Sequence, residues 1–139
     1  MIQRIQSFLL FITTISLCCI VYLIPFGLGD DNYEVFISDD YGFVYFALLL
    51  SSFLCLYTIF QFKNRKKQLL LVRFNRLIIT VCVVVWFFFD YENFINESET
   101  YTYNTLFILF FIFPYVSLLL SAYFIKKDEE LVRSADRIR

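Results

Sequence analysis

Three stretches of this chain, residues 7–26, 42–61 and 104–125, contain no charged side chain. Each is 20 to 22 residues long. At about 1.5 Å rise per residue such a helix is roughly 30 Å long, the thickness of a bilayer's hydrocarbon core. In lipid a backbone has to satisfy its own hydrogen bonds, so runs of this kind fold as spanning helices. A fourth run, Leu77–Phe89, is uncharged but short. It reaches spanning length only as 74–91, which takes in Arg76 at one end and Asp90 at the other. Both are placed at interfaces, the arginine by snorkelling.

Charge settles the fourth span. The linker 27–41 holds acids only (Asp30, Asp31, Glu34, Asp39, Asp40), and 90–103 again acids only (Asp90, Glu92, Glu97, Glu99). All 12 bases fall in the alternate segments: Arg4, the stretch 62–76 and the tail 126–139. With four spans every base lies on one side, and the positive-inside rule makes that side cytoplasmic. Without the third span the basic tail would face outward. The expected fold is therefore all-α: a polytopic four-transmembrane-helix bundle, N-in and C-in, in one domain over 1–139. The uncharged run of the first span exceeds a signal-peptide core, so it is read as a retained span. Tyr22, Tyr33, Tyr41, Tyr91, Tyr101 and Tyr103 lie at or near the acidic span ends, where amphipathic rings belong. Tyr33–Ile37 is read as a short strand or a segment packed on the bilayer surface.

Chemistry is sparse. The chain has no histidine, the commonest general base and metal ligand, and no span has a carboxylate in its central part. Cys18, Cys19, Cys55 and Cys82 lie in apolar runs without C-x-x-C spacing, so they read as small packing residues. Asp30-Asp31 and Asp39-Asp40 offer carboxylates to a divalent cation, but a solvated acidic loop kept outside is the preferred reading. The expectation is no enzyme, no cofactor and no metal.

Within the spans, small residues recur every four positions: Ala47, Ser51 and Cys55 in span two, Ser117 and Ser121 in span four, Thr14 and Cys18 in span one. Such faces let helices approach closely, within this chain or against another subunit. Arg73 and Arg76, one turn apart, either pair in a buried site or snorkel, and snorkelling is preferred.

The loop 62–73, with Arg65, Lys66 and Lys67, is basic enough to set topology and to contact anionic headgroups at the cytoplasmic face. Docking onto an acidic protein or RNA is the competing reading, and nucleic acid is neither indicated nor excluded. The tail 126–139 mixes both signs, with Glu129 and Arg133 as an i,i+4 pair and an apolar stripe of Leu131, Ala135 and Ile138. It is expected to form a short amphipathic cytoplasmic helix that packs on the inner loop or on a partner, or else to extend span four.

The start Met1-Ile2-Gln3-Arg4-Ile5-Gln6-Ser7, the loop Lys63-Asn64-Arg65-Lys66-Lys67-Gln68, Pro114 and the ending Lys127 to Arg139 together resemble a family of small four-span inner-membrane proteins of the Bacteroidota, a domain of unknown function. The resemblance covers the whole chain and is most specific in the tail. It implies a four-span body in the cytoplasmic membrane of a Gram-negative bacterium, and it brings no activity. The functional expectation is an accessory or structural membrane subunit that docks another inner-membrane or cytoplasmic protein complex through Arg65, Lys66, Lys67, Arg133, Asp136, Arg137 and Arg139. The alternative is a small carrier or channel acting as an oligomer, with a hydrated path along Thr14, Ser51, Ser52 and Ser117.

Overall fold

The structure, a computed structural model, describes residues 2–25, 27–28, 34–37, 41–95, 102–103 and 105–136. Four helices account for most of them: α1 Ile2–Tyr22, α2 Gly42–Phe60, α3 Arg65–Ile95 and α4 Thr105–Asp136. All four are long and apolar enough to cross a membrane. They pack in cyclic order, α1 on α2, α2 on α3, α3 on α4 and α4 back on α1.

The buried positions explain this packing. Those on the central seam are Gln6, Leu10, Thr13, Leu17 and Ile20 on α1, and Val44, Leu48, Ser51, Cys55 and Thr58 on α2, with Thr14, Ser16, Val21, Ser52 and Ser117 buried beside it. On α3 they are Gln68, Val72, Asn75, Ile79 and Cys82; on α4, Phe107, Phe111, Pro114, Leu118, Ser121 and Ile125. In every helix the steps alternate between three and four residues. That 3.5-residue period is the seam of left-handed bundle packing, whether the surroundings are water or lipid. The residues between the seams, among them Phe8, Phe46, Phe53, Phe60 and Phe87, are large, apolar and exposed. A soluble protein does not display such a surface on all sides, whereas a bilayer requires it.

Two helices run further than the apolar pattern indicates. α3 begins at Arg65, well before residue 74, because Asn64 caps it: its Oδ1 accepts the Lys67 N–H at 3.2 Å. The seam positions Gln68 and Val72 then continue the helix through the basic segment, leaving a connection of only residues 61–64. At the other end of the chain, residues 126–136 continue α4 without a break and do not form a separate helix. The i,i+4 ion pair there is Lys126–Glu130 at 4.0 Å, in place of Glu129 with Arg133.

The end of the bundle that carries the acidic linkers adds a small sheet to the helices. Strands β1 (Gly27–Leu28), β2 (Glu34–Val35) and β3 (Thr102–Tyr103) pair antiparallel in the order β2-β1-β3, with Gly27 opposite both Val35 and Tyr103. Backbone N–H and C=O groups near a membrane surface need partners, and ladder bonds between the linkers provide them. The pairing also places both acidic linkers at one end of the bundle, as four spans require. Asp30, Asp31, Asp39 and Asp40 lie outside the described residues.

Pro114 sits inside α4 and is buried. Without an N–H it cannot bond the Phe110 carbonyl one turn earlier. Ser16 of α1 donates its hydroxyl to that carbonyl at 3.5 Å, so the neighbouring helix supplies the missing donor. Pro114→Ala restores the intrahelical bond and should change stability by less than about 1 kcal/mol. Ser16→Ala should then cost more in the proline background than in the alanine one, as read by thermal unfolding in detergent. Equal costs in both backgrounds would remove this role from Ser16.

Candidate functional site

Two places bring polar side chains together: a layer in the middle of the bundle, and its basic end. The middle layer has two halves. Between α2 and α3, Asn75 Oδ1 accepts the Ser51 hydroxyl at 2.6 Å, and its Nδ2 donates to the Ser51 carbonyl at 3.1 Å and to Cys55 Sγ at 2.7 Å. Between α1 and α4, Thr13 Oγ1 and Ser117 Oγ share a hydrogen bond, and Ser117 also donates to the Pro114 carbonyl at 3.0 Å.

Both halves lie at one depth. Tyr22 and Tyr45 stack edge-on with ring centres 6.2 Å apart, which sets α1 against α2. Nine residues back from Tyr22 is Thr13; six and ten residues on from Tyr45 are Ser51 and Cys55. At 1.5 Å per residue these distances agree to within about 5 Å. Trp86 and Phe107, with ring centres 5.7 Å apart, set α3 against α4 in the same way and bring Asn75 level with Ser117.

Of the small residues singled out in the sequence, Ser51, Cys55, Ser117 and Ser121 are buried and Ala47 is partly buried against the core. Thr14 is buried and Cys18 half-buried. Asn75 is the residue that sequence reasoning missed. Its signal was present, an amide among Leu69–Val72 and Leu77–Thr80, but the two flanking arginines made it look like the interfacial end of a span. The hydroxyls that a hydrated path would need have protein partners: Thr14 bonds the Leu10 carbonyl at 3.0 Å and Ser52 the Leu49 carbonyl at 2.8 Å, beside the Ser51 and Ser117 bonds above.

At the basic end, Arg65 Nε meets Asp128 Oδ2 at 2.8 Å, with both side chains largely buried. This pair fastens the start of α3 to α4. Gln68, also buried, donates to the Thr58 carbonyl at 3.4 Å and ties α3 to α2 just above. Arg65 is thus engaged by the chain's own tail segment, while Lys66, Lys67 and Arg133 are exposed. The backbone of Asp136 completes α4, but its side chain, with Arg137 and Arg139, lies outside the described residues.

The two registers show how far α4 reaches. Arg65 opens α3 at the level of Asp128. Ile2 opens α1 eleven residues below Thr13, and eleven residues on from Ser117 is again Asp128. Among the described residues, 130–136 therefore project from the bundle, over roughly 10 Å of helix. Leu131 and Val132 are exposed on that projection.

Four apolar antiparallel helices, a buried polar layer and a lipid-compatible surface define a multi-pass helical membrane protein. Within that class the chain belongs to the family described as Domain of unknown function (DUF4293), whose model matches residues 2–138. No curated protein matches it, and no solved structure does.

Proposed function

We propose that the protein is a non-catalytic subunit of the bacterial inner membrane, with both termini in the cytoplasm, that docks a protein partner through its basic end. The observation that carries this reading is the isolated end of α4. A single helix projecting from a bundle exposes Leu131 and Val132 between Glu130 and Arg133, with no other described residue covering them. Mixed charge around an apolar pair suits a protein surface better than a lipid one, since lipid-binding tails are usually basic throughout. Lys66 and Lys67 flank the site and face anionic headgroups or an acidic surface. The Arg65–Asp128 pair holds the projection in a fixed direction.

Replacing Arg133 and Arg137 by Glu is expected to abolish co-purification of partners in mild detergent at native expression, while membrane insertion is unchanged. A stoichiometric companion lost on this double substitution supports the reading. An unchanged partner profile contradicts it, and a lone homo-oligomer points to the carrier alternative.

A further inference from the structure

Arg73 and Arg76 lie much deeper in the bundle than their position beside the basic loop indicates. They are eight and eleven residues beyond Arg65, so their Cα atoms lie about 12 and 16 Å above the ion pair at the basic end. The contacts of α2 give the same depth. Asn75, adjacent to Arg76, bonds Ser51, which is nine residues or about 14 Å above Phe60. At that depth and below it the other helices present Phe8 and Phe11, Leu50, Phe53 and Phe60, and Leu119 and Tyr123 to the outside. Hydrocarbon therefore surrounds the bundle below both arginines.

Arg73 is exposed and Arg76 half-buried, and neither has an anionic partner among the described residues. Helical side chains lean toward the helix N-terminus, which for α3 is the basic end, so both can snorkel that way. An extended arginine reaches roughly 6–7 Å, enough to bring Arg73 near the interface but not Arg76. An ionised group held at such depth is expensive and calls for a partner at its own level.

In sequence the acids fall at 30–40, 90–99 and 128–136, outside the central part of every span, so neither this chain nor a second copy offers a carboxylate from a span centre. A lipid phosphate would have to be drawn about 9 Å into the hydrocarbon to meet Arg76. A carboxylate carried on a helix arrives at that depth directly and matches the guanidinium fork in two hydrogen bonds. Just above Arg76 the surface continues as an apolar groove between α3 and α4, lined by Ile79, Thr80, Val83, Phe111 and Tyr115.

We infer that the outward face of α3 around Arg73 and Arg76 docks a transmembrane helix of another protein, one that carries an Asp or Glu near the middle of its span. This contact lies within the membrane and does not rest on the tail reading, so either can fail alone.

The test reconstitutes the purified chain in phosphatidylcholine vesicles with a dansyl-labelled Leu/Ala transmembrane peptide bearing one central Glu, or Ala in its place. Energy transfer from Trp86, the one tryptophan of the chain, reports association. The Glu peptide should bind about 10-fold more tightly than the Ala peptide, and the preference should fall to within about 2-fold in Arg76→Leu. Arg76→Gln provides a second removal of charge, with helical circular dichroism as the check on folding. Equal binding of both peptides to the wild type would overturn the inference, as would a Glu preference that survives removal of both arginines. Vesicles containing phosphatidylglycerol decide the lipid case. Loss of the preference there, with spin-labelled phosphatidylglycerol immobilised by the wild type but not by Arg76→Leu, would assign the pair to lipid phosphate and overturn the helix assignment.

Discussion

Asn75→Ala is expected to lower the stability of the bundle by about 2 kcal/mol, in line with three hydrogen-bonding contacts in a membrane interior plus a small cavity. The amide is buried and each of its polar atoms is matched, Oδ1 by the Ser51 hydroxyl and Nδ2 by the Ser51 carbonyl and Cys55. The loss is moderated because Ser51 can turn its hydroxyl to a carbonyl of its own helix. Asn75→Leu, which refills the volume, should therefore cost less than alanine, about 1 kcal/mol. Reversible unfolding in mixed micelles measures both. A double-mutant cycle with Ser51→Ala should return a coupling of about 0.6–1.7 kcal/mol. Additive costs would mean that the amide only fills space.

The second large effect concerns the basic end. Arg65→Ala leaves Asp128, only 14% exposed, without its cation. Breaking a fully buried pair costs about 3–5 kcal/mol, and partial exposure of Arg65 and the nearby interface bring the expected loss to about 2 kcal/mol. The exchange Arg65→Asp with Asp128→Arg should recover at least half of that. Because this pair aims the end of α4, the single variant should also raise amide exchange over residues 126–136 and weaken partner co-purification. A stability cost with unchanged exchange would limit the pair to holding α3. No cost at all would mean that it holds nothing.

Lipid exposure is written residue by residue, which is why four helices long and apolar enough to span a membrane were legible in the sequence. Uncharged length locates a helix where it contacts lipid on several faces, as at 42–61. It fails for α3, whose first ten residues are helical because of a cap at Asn64 and a seam of Gln68, Val72 and Asn75. A seam is a 3.5-residue pattern of what is buried, and in a membrane protein the buried stripe is the more polar one. Reading hydrophobicity alone therefore moved the start of α3 outward by about two turns. Within the bundle Arg76 lies at about the level of Ser51, because the adjacent Asn75 bonds that serine. The candidate docking residues were legible as charges, but whether each is engaged depends on register. Arg65 turns inward to Asp128, whereas Arg133 stays exposed.

Single cysteines added at Ser98 and at Ser134, each probed in intact cells with a membrane-impermeant maleimide, test the account most directly. Background labelling of the parent chain serves as reference. The four-span bundle with its basic end in the cytoplasm predicts labelling of Ser98→Cys in intact cells and of Ser134→Cys only after the membrane is opened. Labelling of Ser134→Cys from outside would reverse the bundle. It would also take the projecting end of α4 away from every cytoplasmic partner.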